Sequence, residues 1–168
     1  MPLRVWLLLV LFGLLETTVT PFLRLFGVAP NLILLLTSAV ALYRGSEAGF
    51  AVGVVGGFIL DAWRGQALGL FALASGLTGY LLGLMERRLF KDNLFVPLAA
   101  GFTGTLIFQA VFLVVGSFLG LRFALWPALT RVALPEALYN ALLAPLVFRL
   151  TANLLGGGQS QVTGKDNA

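Results

Sequence analysis

Cysteine and histidine are both absent from the 168 residues. The first absence excludes disulfides and thiolate metal sites. The second removes the commonest general base and the commonest metal ligand. Charge is scarce too: 11 Lys/Arg and 7 Asp/Glu make 11% of the chain, where a soluble domain has about a quarter. Apolar residues reach 59% and the mean hydropathy is +0.97. So few charges cannot cover a water-soluble globule, so the sequence reads as an integral membrane protein. Disorder, a secreted disulfide scaffold and a soluble enzyme are excluded at this step. The net charge of +4 does not indicate nucleic acid, because the basic residues are scattered singly with no patch interleaved with aromatics.

What is present is a series of apolar runs. A helix crossing about 30 Å of hydrocarbon needs about 20 residues. Six segments fit: Leu3 to Thr20, Ala29 to Tyr43, Glu47 to Trp63, Ala67 to Met85, Leu94 to Leu119 and Leu134 to Leu155. The first, where Arg4 precedes the apolar run Val5 to Leu15, resembles a signal peptide but lacks a small-x-small cleavage site, so it reads as an uncleaved span. Arg44-Gly45-Ser46-Glu47 and Asp61-Ala62-Trp63-Arg64-Gly65-Gln66 are brief turns, which force sequential helices to be neighbours. The expected fold is an all-α, compact bundle of six transmembrane helices over residues 1–155, with a glycine-rich, disordered cytoplasmic tail over 156–168. A five-span arrangement with one re-entrant unit is the alternative. With both termini cytoplasmic, the inner side carries Arg4, Arg44, Arg87, Arg88, Lys91, Arg149 and Lys165 against Arg24, Arg64, Arg122 and Arg131 outside, as the positive-inside rule prefers. The stretch from Gly120 to Ala133, apolar with Trp126 and two arginines, suits an element lying in the headgroup plane.

Several polar and glycine features stand out against this apolar background. Gly49, Gly53 and Gly57 share one face of the third span, and Gly79 with Gly83 repeats the spacing on the fourth. Such faces let backbones approach within the bundle, or form a groove for a partner's helix. Asp61 and Arg64 are three residues apart and suit an ion pair, either locking the turn or offering a polar contact to a partner or ligand. Glu16 has no basic neighbour within a helical turn. It therefore needs a partner such as Arg64 or Arg131, reaches the interface, or contacts a ligand. Glu136 and Asn140 share a face of the sixth span with Tyr139 beside them, and Pro145 kinks that helix. These residues line an outward cavity or supply packing polarity. No nucleophile elbow, Walker-type loop or carboxylate cluster for a metal occurs. Hence neither enzyme activity nor a cofactor is expected.

These residues together resemble the bacterial rod shape-determining MreD family. The resemblance rests on Ala29-Pro30-Asn31-Leu32, Tyr43-Arg44-Gly45, Leu60-Asp61-Ala62-Trp63-Arg64-Gly65 with Leu68-Gly69-Leu70, and Leu134-Pro135-Glu136-Ala137-Leu138-Tyr139-Asn140-Ala141-Leu142-Leu143-Ala144-Pro145, in that order. It implies a non-catalytic scaffold of the cell-elongation machinery in the bacterial cytoplasmic (inner) membrane. Such a scaffold binds the bitopic protein MreC and connects to MreB filaments, in support of peptidoglycan synthesis by RodA and a class B penicillin-binding protein. It also implies a shape similar to the substrate-binding subunits of energy-coupling-factor transporters, so a vitamin or small-molecule importer subunit is the competing function. On the scaffold reading, Asp61, Arg64, Glu136, Tyr139 and Asn140 are the partner-binding candidates, and Gly49, Gly53, Gly57, Gly79 and Gly83 form the packing or docking face.

Overall fold

A computed structural model describes residues 3–24, 27–64, 69–85 and 95–155. Six main helices run through them: α1 (Leu3–Thr18), α2 (Leu32–Arg44), α3 (Ser46–Arg64), α4 (Leu70–Leu84), α5 (Phe95–Phe118) and α6 (Leu134–Leu155). A 3-10 turn, Thr20–Leu23, follows α1 where Pro21 stops it. The expected tail, the Glu86 to Lys91 loop with Arg87 and Arg88, and the turn residues 65–68 lie outside the described residues. Helices α3 and α5, and the stretch Leu125–Leu155, are long and apolar enough to cross a membrane. The fold is that of an all-α membrane protein.

Helix α2 is the centre of the bundle. Asn31 caps its start by accepting from the Leu34 N–H at 3.0 Å, as expected of Asn before an apolar run. From Ile33 to Leu42 every residue is buried, which suits a helix hydrophobic all round. One side packs on Val5, Leu8, Leu9 and Phe12 of α1 and on Val147 and Phe148 of α6. The other meets Leu60, Phe71 and Phe108 from α3, α4 and α5. Buried hydroxyls here need no outside partner: Thr37 and Ser38 donate back to the carbonyls of Ile33 and Leu34. Gly45, at φ 89°, ends α2 in a conformation that L side chains rarely adopt. Helix α3 then starts at once, giving the tight hairpin that Arg44-Gly45-Ser46 implies.

Helices α3 and α4 pack backbone against backbone. A methyl group at Gly49 would sit 2.6 Å from the Gly79 carbonyl oxygen. One at Gly53 would collide with the Ser75 carbonyl, one at Gly57 with the Ala72 backbone, and one at Gly83 with Ser46. The five glycines therefore face elements of this same chain.

Helices α5 and α6 are antiparallel, with Thr105 opposite Asn140 and Gln109 opposite Glu136. The stretch expected to lie in the headgroup plane is instead helical from Leu125 and runs directly into α6. Its last part, Ala128–Ala133, is a π-turn in which the Leu134 N–H reaches Leu129. Pro135 explains the wider turn: it lacks an N–H, and its ring crowds the carbonyl four residues back. Helix α5 itself continues about 14 Å past Gln109 at 1.5 Å per residue.

Candidate functional site

Four helix ends converge beside Gln109, Glu136 and Asn140: the last turns of α1 and α3, and the first turns of α2 and α4. Two of these are helix starts, whose first N–H groups have no partner within the helix. Lipid cannot supply one. The side chains that the sequence singles out here do so.

Asp61, buried near the end of α3, reaches across the turn to α4. Its Oδ2 accepts from the N–H groups of Gly69 at 3.0 Å and Ala72 at 3.1 Å, and its Oδ1 from Phe71 at 3.0 Å. A carboxylate at a helix start also complements the helix dipole. Gly69, at φ 95°, brings the chain into α4 without a side chain in the way.

The expected Asp61–Arg64 ion pair is not formed. Asp61 faces inward to three N–H donors, while Arg64 turns to Glu16, Nη2 to Oε1 at 3.4 Å. Its guanidinium also lies 4.8 Å from the centre of the Phe71 ring. Glu16 thus has the Arg64 partner that its isolation on α1 calls for. Its other oxygen accepts from the Leu32 N–H at 2.7 Å, which secures the start of α2. The pair is asymmetric: the Glu16 side chain is 3% exposed and that of Arg64 39%.

On α6, Glu136 accepts from the Gln109 amide of α5. Asn140, fully buried, accepts from the Asn31 N–H at 3.0 Å through Oδ1 and donates to Thr105 Oγ1 at 3.0 Å through Nδ2. It therefore ties α2, α5 and α6 together. Tyr139 is half-buried on the adjoining face. Beside this network Phe71, Phe108 and Phe112 form an aromatic group with centroids 5.0 to 6.0 Å apart, which Phe123 joins through Phe112 at 5.8 Å.

Of the five partner-binding candidates, the structure brings Arg64, Glu136, Tyr139 and Asn140 to one end of the bundle, with Asp61 one turn below Arg64 on α3. Asp61, Glu136 and Asn140 are buried, with their hydrogen bonds made inside the chain; Arg64 and Tyr139 have surface to offer. Sequence reasoning assigned no role to Asn31, Thr105 or Gln109. Two of these had a signal. Asn31 precedes an apolar run in a capping position, and Gln109 is an amide in the middle of the apolar α5, where a lone polar group requires a partner. Among the described residues no group of three or more carboxylates is placed to hold a metal ion.

The family model described as rod shape-determining protein MreD matches residues 1–155. The chain belongs to the MreD family. Membership covers all six helices, so the polar end lies wholly within the matched region. It also gives the function at its broadest: a membrane protein of rod-shape determination, in a family of structural, shape-determining proteins. Comparison with curated proteins and with solved structures returned no match.

Proposed function

We propose that this MreD-family protein is a non-catalytic scaffold of the elongation machinery in the bacterial inner membrane, with both termini cytoplasmic. It binds the single-span protein MreC and connects MreB filaments to peptidoglycan synthesis by RodA and a class B penicillin-binding protein. The observation that supports this reading is how the buried polar groups are used. Asp61, Glu16, Asn31 and Asn140 each accept from a backbone N–H at or beside a helix start. Chemistry spent on fixing helix ends makes a rigid surface, which is what a scaffold offers its partners. On this reading Arg64 and Tyr139 touch the partner, and Asp61, Glu136 and Asn140 shape the surface from within.

Affinity purification of the tagged protein from gently solubilised native membranes, with mass spectrometry, tests the proposal. Recovery of a single-span protein with an extracytoplasmic β-rich region supports it. Arg64→Ala is then expected to reduce that recovery several-fold while the protein stays folded. Recovery of paired ATPases with a large membrane coupling subunit would instead make the chain an importer's binding subunit.

A further inference from the structure

The end of the bundle that gathers the polar network sorts its charges by sign. Its acidic residues, Glu16, Asp61 and Glu136, are all buried and hydrogen-bonded within the chain. Its basic residues, Arg24, Arg64, Arg122 and Arg131, are all exposed. The remaining residues of the connections at this end, Leu25, Phe26 and Gly65 to Leu68, are uncharged by their sequence. Every charge presented outward here is therefore positive. The opposite end is mixed, since Glu47 is exposed beside Arg44.

Large aromatic side chains are exposed among these arginines. Phe22 follows α1, Trp63 ends α3, Phe118 ends α5, and Trp126 stands in the lead-in to α6, 76% exposed. Tryptophan and arginine together at the end of apolar helices are suited to the layer between hydrocarbon and water. Around Trp126, Leu125, Leu129 and Val132 are exposed too, between Arg122 and Arg131. That alternation of apolar and cationic groups fits lipid headgroups better than open water.

The geometry points to an arginine–tryptophan collar that binds the anionic headgroups of phospholipids in the leaflet at this end of the bundle. Arg24 in the α1–α2 connection, Arg122 in the α5–α6 connection and Arg131 in the π-turn before α6 carry the lipid contact, while Arg64, paired with Glu16, stays with the partner surface. Burying the acids is what makes the collar selective. An exposed carboxylate at this level would repel the phosphate that each arginine attracts.

The test uses the full-length protein in nanodiscs holding equal amounts of phosphatidylglycerol and phosphatidylcholine, with the lipids that remain after gentle detergent extraction measured by native mass spectrometry. The wild type is expected to retain phosphatidylglycerol at least threefold over phosphatidylcholine. Arg24→Gln, Arg122→Gln and Arg131→Gln combined, in a variant checked to be monodisperse with a wild-type Tm, are expected to lower that ratio at least twofold. The set Arg4→Gln, Arg44→Gln and Arg149→Gln at the opposite end changes it less. Equal retention of both lipids by the wild type would mean that the collar faces a protein, and would overturn the proposal. An unchanged ratio in the first variant, or an equal fall in both, would overturn it as well. A second measurement leaves the arginines of the collar in place: with Trp6→Phe and Trp63→Phe, Trp126 fluorescence should be quenched more by headgroup-linked than by mid-chain nitroxides. The reverse order would remove Trp126 from the headgroup layer and sink the collar.

Discussion

Asp61 holds the start of α4 in place. Three N–H groups at the start of α4 have it as their partner, and in the apolar interior none has another to turn to. Asp61→Ala is expected to destabilise the protein by about 3 kcal/mol or more, since each of the three buried groups left unsatisfied costs about 1–3 kcal/mol. Asp61→Asn, with one carbonyl oxygen in place of two carboxylate oxygens, should lose less. Thermal unfolding in a mild detergent measures both, and a melting temperature unchanged by Asp61→Ala would refute the capping role. Glu16→Gln is milder: its amide oxygen still accepts from Leu32, and the Arg64 contact at 3.4 Å is half in solvent. A loss of about 1 kcal/mol or less is expected. The chemistry of these residues was legible before their partners were. Spacing alone suggested that Asp61 pairs with Arg64, because both lie on one side of a helix end. What spacing does not reveal is that α4 starts within reach of Asp61, and three inward donors outweigh one outward cation.

At the scale of the element, the α3–α4 pair depends on having no side chains at its contact. Gly53→Leu places a side chain where even a Cβ meets the Ser75 backbone. Overpacking of this kind typically costs about 1–3 kcal/mol where neighbours can adjust; backbone adjusts least, so the loss should fall at or above the top of that range. Leu142→Ala, on the outward face of α6, should change stability by about 0.5 kcal/mol or less. Comparing folded yield and Tm for the two variants checks this, and equal losses would count against close backbone packing. The glycine spacing, the Arg44-Gly45 hairpin and the six apolar runs were all readable, because periodicity and turn residues act locally. The helical course of Leu125–Ala133 was not. Two arginines among apolar residues suit a helix lying in the interface as well as one rising through it. The choice falls to packing against α5, where Phe123 lies against Phe112 and Gly116.

The molecule as a whole is built around α2, whose 13 residues span about 20 Å at 1.5 Å each, well short of the hydrocarbon thickness of about 30 Å. That length is no defect in the finished bundle, because α2 is wrapped in protein and has little contact with lipid. It is a constraint while the chain is being made. When α2 leaves the ribosome, most of its eventual neighbours do not yet exist, and alone it is too short for a translocon to release stably across the bilayer. It is expected to insert together with α3, as one helical hairpin closed at Gly45. The absence of native cysteine makes this easy to follow with a single introduced thiol and a membrane-impermeant maleimide. In the full chain, Ser46→Cys should label from the side opposite to Thr18→Cys. In a chain cut shortly after position 46, which lacks α3, the same thiol should label from the same side as Thr18→Cys. Opposite-side labelling in the short chain would show that α2 crosses unaided. The expected labelling would make the central helix of this shape-determining protein a passenger of the one that follows it.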